Sequence, residues 1–115
     1  VPAVAEATAG LAWPASVVIL GMGGDGHTAS LFPDSQELGL ALSTDEPLVA
    51  VRTPSQPQPR ITFSADRLHQ AKRHILHITG DDKRAVLANA MGGDDVRTLP
   101  IRAFLSCPLA IYWAP

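Results

Sequence analysis

The sequence predicts an α/β fold, a layer in which a mostly parallel sheet is flanked by helices, and three observations predict it. Short apolar runs rich in β-branched residues alternate with segments of helical periodicity along the chain. The first run, Val17 to Leu20, is continuously apolar, the pattern of a strand covered on both faces, as parallel strands usually are. Two of the runs lead into a glycine, Gly21 directly and Gly80 after Thr79, where a loop would leave the carboxyl end of a strand. Three or four strands make a small sheet with one side open, and the chain opens at Val1 with a run rich in small residues, Ala3 to Ala15, before the first strand. The expectation is therefore one α/β unit over residues 1–115 that forms an incomplete part of a larger domain.

The elements follow in order. Val17 to Leu20 reads as a buried strand bounded by Pro14 and Gly21. Thr28 to Phe32 predicts a short helix stopped by Pro33, and the stretch through Asp34, Gly39 and Pro47 an irregular excursion. A strand is expected over Leu48 to Val51, then an extended surface connection through the prolines of Thr53 to Pro59. Phe63, Ala65, Leu68 and Ala71 recur at helical spacing, with Thr62 or Ser64 as candidate cap. Ile75 to Ile78 predicts a second buried strand, Asp81 to Met91 a helix burying Ala85, Val86, Leu87 and Ala88 and closed by Gly92-Gly93. Pro100 to Ala103 predicts a turn of helix, and Leu109 to Trp113 a third buried strand.

Composition narrows the function classes. A net charge of −2 leaves no broad basic face, which argues against nucleic acid and anionic membranes as partners. No apolar run is long enough to span a bilayer, and no charged segment precedes one as in a signal peptide, so a cytoplasmic location is expected. Cys107, the single cysteine, reads as a small core residue, and no metal site is expected. His74 and His77 lie three apart in a predicted strand and so face opposite sides, which keeps them from converging with His69 on a metal.

The informative stretch is Gly21-Met22-Gly23-Gly24-Asp25-Gly26-His27-Thr28-Ala29-Ser30-Leu31-Phe32-Pro33, directly after the first strand. In open α/β sheets ligands bind outside the carboxyl ends of the strands. Its glycines let backbone amides approach an anion closely, and His27 beside Asp25 offers a proton acceptor with a carboxylate to orient it. A competing reading takes Gly21, Gly23 and Gly26 as a dinucleotide fingerprint with Asp45 on the ribose. That fingerprint requires a long helix after its last glycine, and Pro33 interrupts within two turns.

Leu20 to Pro33, LGMGGDGHTASLFP, is similar almost letter for letter to the signature of the 6-phosphogluconolactonase family. Arg60-Ile61-Thr62, the Gly80-Asp81-Asp82-Lys83 turn, and Leu99-Pro100 ahead of a final strand ending in Trp113 occur in the family's order. The resemblance implies the carboxyl-terminal half of the family's domain, with a Rossmann-like fold shared with glucosamine-6-phosphate deaminases. It implies metal- and cofactor-free hydrolysis of 6-phosphoglucono-δ-lactone, a small sugar-phosphate substrate. On that reading His27 is the general base, Asp25 holds its ring, and Gly23, Gly24, Gly26, Arg60 and Lys83 bind substrate or phosphate.

One departure stands out, since the family commonly carries a lysine near Ser55. Lys83 and Arg84 fall in the first turn of a predicted helix, where a cation is disfavoured unless an anion binds; Asp81 and Asp82 offer the plainer account. Of the pair, Lys83 is the phosphate candidate and Arg84 is expected to point to solvent. Two other functions remain open. Deaminase or isomerase chemistry is disfavoured because in deaminases an acidic residue stands within the stretch occupied here by Ser30 to Pro33. A non-catalytic sugar-phosphate binding module would keep Lys83 and Arg60 and have no need of His27.

Overall fold

A computed structural model describes residues 1–115, in which three strands form one parallel sheet. Helix α1 (Pro2–Thr8), unforeseen among the small residues of the start, precedes β1 (Val17–Leu20) and buries nothing. The glycine loop leads on to α2 (Leu38–Ser43), β2 (Leu48–Thr53), β3 (Gln56–Phe63) and α3 (Ala65–His69). Then come β4 (Arg73–Thr79), α4 (Asp81–Met91), α5 (Arg102–Leu105) and β5 (Leu109–Ala114). The sheet order is β1-β4-β5, with Leu20 beside Leu76 and Leu76 beside Ile111. β2 and β3 pair antiparallel as a separate hairpin.

Several local expectations change, each for a physical reason. Residues Thr28 to Phe32 form no helix; a tight turn closes between Thr28 and Leu31, with Ala29 at φ 50°. Bonds to groups outside the segment hold this turn in place of a helix: the Thr28 hydroxyl donates to the Gly21 carbonyl and the Ser30 amide to Thr62 Oγ1. The proline-rich stretch is a strand: β3 runs through Pro57 and Pro59, and pairing with β2 takes the place of a free surface connection. Within the expected irregular excursion, α2 forms because Leu38 and Ala41 reach the core three residues apart. Ser64, not Thr62, caps α3 by accepting the Arg67 amide at 3.2 Å; Thr62 belongs to β3. The α4 bounds are those expected, yet its stripe is Leu87 and Ala90 rather than Ala85 and Ala88, which are exposed. Arg102–Leu105 places the last helix slightly after the expected turn.

The expectation of strands covered on both faces is corrected by the sheet itself. On one face Leu20, Leu76 and Ile78 are buried with Leu31, Phe32, Ile101 and Phe104 in the single apolar core. On the other, Val17, Ile19 and Tyr112 are exposed, Ile19 by 69% and Tyr112 by 59%. The cross-strand register puts Ile19, Ile75 and Ala110 in one row and His77 beside Tyr112 in the next. The result is a contiguous, mostly apolar surface with nothing packed on it. His74 faces the core and His77 the open side, as their spacing required. No helix is long and apolar enough to cross a membrane.

Candidate functional site

The glycine loop leaves β1 at the carboxyl end of the sheet and folds back on itself through its own backbone. The Gly26 amide donates to the Gly23 carbonyl at 3.0 Å and the Gly23 amide to the His27 carbonyl at 2.9 Å. Gly26 sits at φ 80°, and a Cβ there would meet the Leu99 side chain at 2.6 Å, so no other residue fits this turn. One further bond within the loop and two from the rest of the protein then tie it down. Ile101 donates its amide to the Gly26 carbonyl, the Thr28 hydroxyl donates to the Gly21 carbonyl, and the Ser30 amide donates to Thr62 Oγ1.

This turn brings Asp25 and His27 together. The Asp25 Oδ1 atom accepts both the His27 backbone amide at 3.0 Å and, at 2.5 Å, the ring nitrogen Nδ1. With Nδ1 carrying its hydrogen toward a carboxylate, the lone pair of the neutral imidazole is left on Nε2, which has no protein partner. The tautomer is thus selected by the hydrogen bond rather than by chance. Gly23 supplies the room, since a Cβ at that position would lie 2.2 Å from His27 Cε1. His27 is the only histidine within ion-pair distance of a carboxylate.

His27 and Lys83 line one open cavity of about 400 Å³ together with Gly21, Met22, Gly23, Thr28 and Ala29. That volume is within the ordinary range for small-molecule sites. Lys83 makes no ion pair, so Asp81 and Asp82 do not neutralise it side chain to side chain. Arg84 leaves the cavity, its guanidinium lying over the Trp113 ring at 4.7 Å. A larger cleft of about 660 Å³ between the segment ahead of α2 and the β2–β3 hairpin contains Asp34 and Arg52 but no imidazole and no glycine amides. Chemistry therefore favours the smaller cavity.

The remaining sequence candidates separate. Of the three glycines, Gly23 and Gly26 spend their amides inside the turn, whereas the Gly24 amide has no acceptor in the protein. Arg60 is absent from the lining of the cavity; its guanidinium is held by Gln56 Oε1 at 3.0 Å and lies 5.7 Å from the Phe32 ring centre. Ser55, where a lysine was the resemblance's expectation, serves Asp34: its amide and hydroxyl both donate to that carboxylate, as does the Thr53 hydroxyl. These bonds, Thr53's first, hold the Asp34 carboxyl below its usual range. Burial pushes the Cys107 thiol up, in keeping with its place beside the core. No cluster of histidine, cysteine and carboxylates suited to a metal occurs. Phe32, which no sequence signal singled out, is stacked on His27 with ring centres 4.4 Å apart. The dinucleotide reading loses its structural requirement, because no helix starts until Leu38.

Known proteins resemble this chain in sequence and in fold. The family model of glucosamine-6-phosphate isomerases/6-phosphogluconolactonase matches residues 3–113. A 6-phosphogluconolactonase of Rhizobium meliloti is 44% identical over 94% of this chain and 49% of its own length. One from Pseudomonas putida is also 44% identical, over 89% of this chain and 43% of its own. The crystal structure of a 6-phosphogluconolactonase from Shewanella baltica superposes with a TM-score of 0.95 at 38% identity, covering 99% of this chain and 50% of that one. A monomeric glucosamine-6-phosphate deaminase shares the fold at 18% identity and a TM-score of 0.64. The chain spans about half the length of the curated relatives it matches. With a family match across nearly all its residues and a glycine loop folded around an Asp-His pair, the chain belongs to the glucosamine-6-phosphate isomerase/6-phosphogluconolactonase family.

Proposed function

We propose that this chain carries the base-bearing half of a 6-phosphogluconolactonase, hydrolysing 6-phosphoglucono-δ-lactone to 6-phosphogluconate. The observation that carries the reading is the Asp25-His27 pair, whose unpartnered Nε2 belongs to a residue sharing a cavity with an unpaired lysine. His27 Nε2 takes a proton from water, and the resulting hydroxide attacks the lactone carbonyl. Asp25 offsets the positive charge that the ring acquires. Amides of the glycine loop meet the oxyanion, a contribution of a few kcal/mol when one such donor is removed from an enzyme; the Gly24 amide is free of other acceptors but stands outside the cavity lining. Collapse of the tetrahedral intermediate breaks the ring ester bond, and the imidazolium returns its proton to the departing ring oxygen. Lys83 holds the phosphate, and Arg60 adds a second cation at the margin. The alternative of a binding module is disfavoured because it leaves the oriented imidazole without a task.

Residues 1–115 are one α/β unit of a larger domain in this reading, supported by the bare face of the sheet and by the half-length match to relatives. A second half of the same family, packed over Ile19, Ile75 and Tyr112, completes both the core and the phosphate contacts. The test joins residues 1–115 to the first half of the Rhizobium meliloti relative and follows hydrolysis of 6-phosphogluconolactone. Turnover above the spontaneous rate is expected, with His27→Ala reducing it by roughly 10²- to 10⁴-fold while 6-phosphogluconate still binds by calorimetry. Unchanged turnover in His27→Ala would remove the base assignment.

A further inference from the structure

We infer that Phe32 is a positioning residue for His27, a fixed aromatic platform that sets the plane of the imidazole; this rests on the lactonase reading above. His27 and Asp25 are half-open to water, with side-chain exposures of 28% and 40%, so their hydrogen bond alone leaves a pair that can swing together into solvent. Phe32 is 1% exposed and belongs to the core cluster, so its ring cannot follow such a motion. The two rings lie 4.4 Å apart between centres and 34° from parallel. Aromatic pairs of that geometry contribute about 0.5–1.5 kcal/mol beyond simple burial. Gly23 leaves the imidazole's space free, Asp25 fixes Nδ1, and Phe32 fixes the plane, which together settle where Nε2 points.

The platform also has an electrostatic side. An aromatic face attracts cations. The same ring carries the Arg60 guanidinium at 5.7 Å, which links the base to the β3 strand through one immobile side chain. The tight Thr28–Leu31 turn and the bond from the Ser35 amide to the Phe32 carbonyl hold that ring in place.

The experiment uses Phe32→Leu, with Phe104→Leu as its control, in the joined protein and in the 115-residue chain. Phe104 is equally buried but stacks on His69, not on His27. Both variants lose core packing and melt earlier; well below either melting temperature, Phe32→Leu is expected to lower kcat by roughly ten- to a hundredfold with KM little changed, as misplaced groups do, and Phe104→Leu to leave kcat alone. In the chain itself, the ring-proton signals of His27 should lose their aromatic ring-current shift in Phe32→Leu only. Equal kcat in the two variants, or no contact between the His27 and Phe32 ring protons in the unmutated chain, overturns the proposal. If His27→Ala keeps its turnover, the lactonase reading fails instead, and the ring-proton measurement still decides whether the platform exists.

Discussion

The glycine loop and the outer face of the sheet both begin at β1, and they are finished to very different degrees. The loop is closed by its own backbone, then tied to α5's approach at Ile101 and to β3 at Thr62, with Leu31 and Phe32 sunk in the core beneath it. The outer face, one residue away at Ile19, has nothing on it. The difference teaches that the geometry of the Asp25-His27 pair depends on the buried side of the sheet alone. The hydrogen bond that orients the imidazole is thus made without any layer on the outer face, and what that face lacks is buried apolar surface.

The comparison breaks first on the core. Leu76, fully buried in the central strand, contributes heavily, so Leu76→Ala should cost about 2–5 kcal/mol in chemical denaturation. Ile19→Thr on the bare face of the same sheet should stay within about 0.5 kcal/mol in the 115-residue chain, because it removes little buried surface. In the joined protein the Ile19 substitution should become costly; equal effects in both settings would mean that no layer packs there.

A smaller effect comes from Asp34, which staples the segment after the loop to the β2–β3 turn through Thr53 and Ser55. Its carboxyl is lowered in the folded state, so this contribution is present above the ordinary carboxylate value of 3.8 and is lost as pH falls through the folded value. Melting temperature should therefore drop less in Asp34→Asn than in the unmutated chain on going from about pH 5 to about pH 3. An identical drop would show that the staple does not couple to folding. Smallest of all, Cys107 should alkylate more slowly at neutral pH than a free thiol in the same buffer, because burial raises it and its hydrogen is directed to the Phe104 carbonyl. Labelling at the rate of a free thiol would place that residue outside the core.

Much of this was legible in the residues. The loop, the Asp-His pair, the parallel strands and α4 with its closing glycines follow from short-range rules: glycine at positive φ, apolar runs, and helix punctuation. The hairpin was harder to see, because Pro57 and Pro59 read as a connection until a partner strand is available for the intervening residues. Phe32 was invisible as a functional residue for a related reason. Its type and place mark it as core, and nothing in the order of residues says which side chain will lie on its face.

By itself the sequence determined where the chain turns and which residue types stand at the turn, since those depend on neighbours a few bonds apart. It did not determine which apolar strands would be covered: Val17 to Leu20 and Leu109 to Trp113 look as buried as Leu76, and only assembly shows that half of each faces outward. Nor did it decide that Arg60 stands on Phe32 while Lys83 shares the cavity of His27. Burial and convergence are sums over residues far apart in the chain, so they take their values only when the layers close.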